Sequence, residues 1–317
     1  MDTLTGRLST RFLIVTMVPN ILLIGYAGFL LAAGAPTRSP SPARALAVLD
    51  GLSARQIIAL FLGLLIISVA THPLQTPLIQ LMEGYWQGLP FGPAMAERCT
   101  KRFRQELSWV RAELQREGDE NDWDRAARQA NIDAGYRQDW LPEEEEDLLP
   151  TALGNTLVTG ETRAGERYGL KTGVVLPRLA PLLSPSSLAE LRDRRNQLDA
   201  AVRLCVTAGL ATAISVGLLL RFGPWLLIAL VTYALCWACY RAAVAAARSF
   251  CDSLAAAIDL HHLQLYDALQ LERPADLAAE LIRNEVLSKL FHGECLDADQ
   301  MAELRYLPPK ADGPTAG

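Results

Sequence analysis

Residues 201–243 read AVRLCVTAGLATAISVGLLL-RFG-PWLLIALVTYALCWACYRAA, two apolar segments of 20 residues joined by Arg221-Phe222-Gly223. A helix of roughly 20 apolar residues crosses the hydrocarbon core of a bilayer, which is about 30 Å thick. A connection this short makes the two helices antiparallel neighbours. The stretch therefore predicts a transmembrane hairpin, with span three at 201–220 and span four at 224–243.

A first span is predicted at residues 12–33, where Thr16 and Asn20 are the clearly polar positions. The alternative is a secretory signal peptide, because Ala33-Gly34-Ala35 resembles a cleavage site. The apolar run is longer than the 7–15 residues of a signal core, which favours a retained span.

A second span begins at Ser53, which forms a capping-box pattern with Gln56. Its apolar run ends at Ala70 and is too short to cross a bilayer at 1.5 Å per residue. Span two is therefore predicted over 54–82, past two prolines, Pro73 and Pro77.

Arginine placement predicts the orientation of the spans. The loop between spans one and two, residues 34–53, carries few basic residues, whereas Arg and Lys cluster beside the other ends of the spans. By the positive-inside rule both termini, the segment 87–200 and the segment 244–317 are cytoplasmic, and the last of these ends in a disordered tail.

The cytoplasmic segments show helical rather than strand patterns. Helices are predicted at Thr151–Tyr168 with Gly169 as the stop, from Ser187-Leu188-Ala189-Glu190 into span three, and at Ala275–His292 with Gly293 as the stop. No convincing strand is present, and the best short candidate is Gly173–Leu176. The predicted fold class is all-α: an integral membrane four-helix bundle with a helical cytoplasmic domain.

Composition indicates the partners and the cellular compartment to expect. The net charge of −5 argues against a nucleic-acid partner, since phosphate binders show a basic face. Arg outnumbers Lys 26 to 4, which indicates a high-GC bacterial genome and hence a bacterial cytoplasmic membrane. None of the six cysteines lies in the predicted external loop, so free thiols are expected.

The end of span two carries the most informative polar residues. These residues are His72, Gln75, Thr76, Gln80 and Glu83. On a helix they fall near one face, and together with Asn20 of span one they predict the lining of a pathway or pocket. The alternative is a helix that emerges from the bilayer and becomes amphipathic, with Tyr85 and Trp86 as interface anchors.

Other motifs have structural explanations. Gly209, Ala213 and Gly217 form a stripe of small residues that predicts close helix packing. Cys236 and Cys239 lie within a predicted span and are expected to pack rather than to bind metal. The adjacent His261 and His262 point about 100° apart on a helix. No catalytic residues, metal or cofactor are predicted, and an enzyme ranks third among the function classes.

Three short stretches resemble those of an uncharacterised family of actinobacterial integral membrane proteins: Leu149–Asn155, Arg167–Gly169 and Pro177–Leu179. The layout of four spans, internal termini and a helical block between spans two and three also resembles bestrophin channels, in architecture alone.

Two function hypotheses follow. In the first the protein is an oligomeric channel or transport-related protein, a homo-oligomer whose second span lines the path. In the second the bilayer bundle is an anchor, and the cytoplasmic helices bind a protein partner as in a scaffold or signalling protein.

Overall fold

The structure is a computed structural model that describes residues 18–71, 75–115 and 125–307. These residues are helical apart from turns and one isolated β-bridge between Leu271 and Tyr306. The α-helices are α1 Val18–Ala32, α2 Pro42–Asp50, α3 Ala54–Thr71, α4 Gln75–Glu83, α5 Gly92–Leu114, α6 Arg125–Gln138, α7 Ala152–Glu166, α8 Thr172–Leu179, α9 Pro185–Leu219, α10 Leu227–His261, α11 Gln264–Ala268, α12 Leu277–His292 and α13 Ala298–Glu303.

The chain divides into two compact units. Unit 1 draws its described residues from Met1–Gly92 and Asn196–Ala246, and unit 2 from Pro93–Arg195 and Ala247–Gly317. The all-α prediction is confirmed for the described part of the chain.

Among the described residues, two elements are long and apolar enough to cross a membrane: Pro185–Leu219, with 35 residues, and Gly223–His261, with 39. The second contains the predicted span four, and the first contains span three up to Leu219. A third candidate arises if α2 and Ala54–Ile67, which are bent by 106°, count as one span. The described part of span one, α1, has 15 residues.

Unit 1 has an apolar core where α1 meets the hairpin. Leu30, Ala35 and Leu219 are buried there, and the partly buried Tyr26 and Trp225 pack against them. The Tyr26 hydroxyl also lies 2.5 Å from Ser215 Oγ, so a polar contact joins α1 to α9 within the apolar surroundings. Deeper in the hairpin, Cys205 Sγ and Cys236 Sγ are 3.8 Å apart.

The loop predicted between spans one and two is partly helical. Helix α2 follows Ser41 and has Pro42 in its first turn, where the missing proline N–H costs no hydrogen bond. Arg44 on this helix donates a hydrogen bond of 3.0 Å to the carbonyl oxygen of Ala33, which follows the end of α1. The sequence predicts only a loop at 34–53, and the structure corrects this prediction because α2 lies within it.

Unit 2 is built around α7, most of whose residues are buried. A Cβ atom at Gly160 would overlap the side chain of Cys251 on α10, so glycine allows these two helices to approach closely. A second cluster lies on α5 and α6, where Leu107, Val110 and Ala134 are buried together.

The structure replaces the strand candidate with a helix and moves one predicted helix start. Gly173–Leu176 lies in helix α8 rather than in a strand, because the buried residues Thr172, Val175 and Leu179 recur at helical spacing. Helix α9 begins at Pro185, before the predicted capping box, since the Ser184 hydroxyl accepts a hydrogen bond of 3.1 Å from the N–H of Ser187.

Candidate functional site

Unit 2 contains a cleft between α7, the segment 169–173 and α12. Its volume is about 550 Å³, which is in the range of small-molecule and side-chain pockets. Its lining residues are Val158, Glu161, Thr162, Glu166, Gly169, Leu170, Lys171, Thr172, Gly173, Leu281, Glu285, Ser288 and Lys289. We refer to it as the α7–α12 cleft.

One wall of the cleft is held by a close approach of two backbones. Gly169 has a left-handed backbone with φ of 71°. A Cβ atom there would lie 2.7 Å from the carbonyl oxygen of Leu281 on α12. Glycine is required on both counts, because other residues pay for a positive φ and none has room for a side chain.

Polar side chains of α12 fix the same wall. The amide nitrogen of Asn284 donates a hydrogen bond of 2.8 Å to the carbonyl oxygen of Tyr168. Ser288 Oγ accepts one of 3.1 Å from the N–H of Lys171 and donates one of 3.4 Å to the carbonyl oxygen of Gly169. These bonds satisfy partly buried backbone groups that lie outside the hydrogen-bond ladders of the helices.

A buried polar network continues behind this wall. The Tyr266 hydroxyl donates a hydrogen bond of 2.7 Å to the amide oxygen of Asn284. The amide nitrogen of Asn284 also donates a hydrogen bond of 3.3 Å to Glu280 Oε1, and the imidazole Nε2 of His262 lies 3.2 Å from the same oxygen. Burial raises the pKa of Tyr266 above its usual range, so its hydroxyl stays a hydrogen-bond donor.

Tyr168 connects this network to α10. Its ring stacks on the imidazole of His262 with a centroid separation of 4.1 Å, and its hydroxyl donates a hydrogen bond of 3.0 Å to Asp259. Burial and the hydrogen bond to Asp259 both raise the pKa of Tyr168. Tyr168, which precedes Gly169, is therefore held by α12 through its backbone and by α10 through its side chain.

The charges around the cleft are mixed. Three carboxylates, of Glu161, Glu166 and Glu285, line it with two ammonium groups, of Lys171 and Lys289. Glu161 is the half-buried member, and burial raises the pKa of its carboxyl while Arg195 opposes the shift. Burial disfavours the ionised form of this carboxyl, and a cation that entered the cleft would favour it.

The predicted pathway residues lie on two helices of unit 1. Asn20 is half-buried on α1, and on α4 Gln80 is exposed and Glu83 half-buried. His72 and the side chains of Gln75 and Thr76 lie outside the described part of the chain. A shared pathway face therefore stays a prediction.

The small-residue stripe lies on α9. A Cβ atom at Gly209 would be 3.6 Å from Cys236 Sγ, which places this end of the stripe beside α10. Ala213 is exposed, and a Cβ atom at Gly217 would meet no atom within 4 Å. Within the part of the chain that the structure describes, no residue covers the outer part of the stripe.

The resemblance stretches hold backbone turns of unit 2. Thr151 caps α7 by accepting a 3.0 Å hydrogen bond from the N–H of Gly154, and Asn155 Oδ1 accepts one of 2.7 Å from the N–H of Leu149. Arg178 contacts the ring of Phe291 at 4.3 Å. The sequence alone does not connect these stretches with a cleft.

Across residues 18–71, 75–115 and 125–307, no group of three or more His, Cys, Asp or Glu side chains is arranged to hold a metal ion. No protein-family model, curated protein or solved structure matches the chain.

Proposed function

We propose that this chain is a multi-pass protein of a bacterial cytoplasmic membrane, with four spans forming a membrane bundle and both termini in the cytoplasm. The two long apolar helices α9 and α10 support the proposal. Helices α1 and α3 supply the other two spans, and the contacts of Tyr26 with Ser215 and of Leu30 with Leu219 are the packing expected of α1 beside the hairpin.

In this proposal the bundle is an anchor and unit 2 binds a cytoplasmic protein partner. The observation that carries it is the α7–α12 cleft, whose wall is fixed in advance by Gly169, Asn284 and Ser288. A preformed cavity lowers the cost of ordering on binding.

The partner segment is proposed to place a Lys or Arg side chain in the cleft. Glu161 is the half-buried carboxylate of the lining, and a cation beside it would favour the ionised form that burial disfavours. The aliphatic part of a Lys or Arg stem would cover Val158 and Leu281, which line the same cavity.

Site-directed photo-crosslinking tests this proposal on the full-length chain in its native membrane. A benzoylphenylalanine at Thr162, exposed at the cleft, is expected to crosslink a specific protein, and the same group at the exposed Glu294, outside the cleft lining, is not. The crosslink should disappear in a Glu161→Gln chain. Identical products from both positions, or crosslinking that survives Glu161→Gln, would contradict the proposal.

A second candidate is the oligomeric channel, with Asn20, His72, Gln75, Thr76, Gln80 and Glu83 along the path. The observation that favours it is the open small-residue surface at Ala213 and Gly217, which leaves room for the close approach of a second copy. Native mass spectrometry in lipid nanodiscs tests it. A ring of four or more subunits supports a pore, and flux should then change in His72→Leu and Gln80→Leu, whereas a monomer or dimer leaves no central path.

A further inference from the structure

The segment between α4 and α5 is uncharged and rich in aromatic residues. Between Glu83 and Glu97 the sequence is GYWQGLPFGPAMA, without one charged residue, in a chain of which 21% is charged. Residues 84–92, which all belong to unit 1, form the turn at the start of this segment, and we name them the aromatic turn.

The aromatic turn is closed by its own backbone. Gly84, with φ of 105°, ends α4, and its N–H and that of Tyr85 donate hydrogen bonds of 3.1 and 3.0 Å to the carbonyl oxygen of Gln80. Further hydrogen bonds run from Leu89 N–H to Trp86 at 3.0 Å and from Gly92 N–H to Leu89 at 2.9 Å. A Cβ atom at Gly92 would overlap the Trp86 carbonyl, so the turn needs glycine there.

The backbone of the turn holds apolar side chains in exposed positions. Phe91 has φ of 66°, a left-handed backbone that a residue with a bulky side chain rarely adopts, and its side chain is 88% exposed. Tyr85 and Leu89 are exposed as well. The indole N–H of Trp86 donates a 2.6 Å hydrogen bond to the Leu81 carbonyl, so its polar group is satisfied within the chain.

We infer that the aromatic turn is a membrane-interface anchor, in which Phe91 and Leu89 insert at the boundary between headgroups and acyl chains and Tyr85 lies at headgroup level. Aromatic residues with one polar atom collect at this depth. The uncharged composition fits a lipid surface better than a charged protein surface, and α4 leads directly into the turn. The inference rests on the proposed function in one respect: span two must bring Glu83 to the cytoplasmic side of the bilayer.

Hydroxyl-radical footprinting tests the anchor on the full-length chain, one copy per nanodisc of phosphatidylcholine. The oxidation rate of each residue is compared with that of the same residue in the denatured chain. Phe91 and Tyr85 are expected to be protected several-fold, whereas Tyr306, 76% exposed in unit 2, should react nearly as in the denatured chain. Protection of Phe91 no greater than that of Tyr306 would overturn the inference.

Tyr233, exposed on α10, distinguishes failure of the anchor from failure of the membrane placement of unit 1, because it faces lipid if span four is correct. If Tyr233 is protected and Phe91 is not, the anchor alone fails. If both are oxidised freely, the proposed membrane placement of unit 1 fails with it.

A Phe91→Asn variant supplies a second test that does not depend on misfolding. Asparagine tolerates positive φ better than phenylalanine, and the replaced ring makes little contact within the chain. The anchor predicts unchanged stability in detergent together with several-fold faster oxidation of Tyr85 in nanodiscs. Full protection of Tyr85 in this variant would overturn the inference.

Discussion

The side-chain amide of Asn284 donates a hydrogen bond of 2.8 Å to the backbone carbonyl oxygen of Tyr168, which lies 116 positions earlier in the sequence. The amide oxygen of Asn284 accepts at the same time from the Tyr266 hydroxyl. Asn284 and Tyr266 are both buried. One amide therefore joins the segment before Gly169, helix α11 and helix α12 of unit 2.

The first prediction concerns loss of this amide. Asn284→Ala removes the partner of the Tyr168 carbonyl and of the Tyr266 hydroxyl, and a buried polar group left unpaired costs about 1–3 kcal/mol. We expect a clear fall in the free energy of unfolding, measured by thermal or guanidinium denaturation in detergent. Asn196→Ala, at an exposed position, is the matched control and should stay within about 0.5 kcal/mol of the parent. Equal losses in both variants would contradict the role given to Asn284.

The second prediction separates backbone conformation from close contact at two glycines. Gly169 and Gly293 have φ of 71° and 84°, and an L-residue in this region costs about 1–2 kcal/mol. A Cβ atom at Gly293 meets no neighbour within 4 Å, whereas at Gly169 it meets the Leu281 carbonyl at 2.7 Å. Gly169→Ala should therefore lose more unfolding free energy than Gly293→Ala in the same denaturation assay. A larger loss at Gly293 would show that the contact with Leu281 is unimportant.

Local signals account for what the sequence could predict. Helix α12 was expected at Ala275–His292 and runs from Leu277 to His292, because Asp276 caps its start and Gly293 its end. Such caps act within four residues, so they can be read from the sequence alone.

The cleft could not be read in the same way. Its wall depends on Asn284 and Ser288 meeting residues more than 100 positions away, and nothing in the sequence near Tyr168 specifies those partners. Gly169 was interpreted only as a helix stop, although it also permits the contact with Leu281. The short run Gly173–Leu176 could not be assigned from the sequence for a related reason, since four residues cannot distinguish a helical from a strand period.

The third prediction concerns the polar contact between α1 and α9. Ser215 Oγ lies 2.5 Å from the Tyr26 hydroxyl and 2.6 Å from the Ala211 carbonyl oxygen. Tyr26→Phe leaves Ser215 with its backbone partner, so the loss should be modest, about 0.6 kcal/mol as is typical between membrane helices. Tyr233→Phe, at an exposed position on α10, should change nothing measurable. Both variants can be compared by unfolding in mixed micelles, where a loss above about 2 kcal/mol for Tyr26→Phe would contradict this account.

The fourth prediction concerns the pH dependence that Glu161 gives to stability. Burial raises the pKa of its carboxyl in the folded chain, although Arg195 opposes the shift. The folded state therefore binds this proton more tightly than the unfolded state does. Ionised Glu161 destabilises the fold above its raised pKa, and the penalty fades as the pH falls to the ordinary carboxyl pKa, where both states are protonated.

Glu161→Gln should accordingly be more stable than the parent chain at neutral pH, and the difference should vanish at acidic pH. The measurement is the unfolding temperature in detergent across that pH range, with Glu294→Gln as the exposed control that shows no such dependence. The same substitution is expected to abolish crosslinking at the cleft, so stability and binding should change in opposite directions at neutral pH. A Glu161→Gln chain that is less stable at neutral pH would mean that the attraction to Arg195 outweighs burial, and Glu161 would then be an internal ion-pair partner instead of a receptor for an external cation.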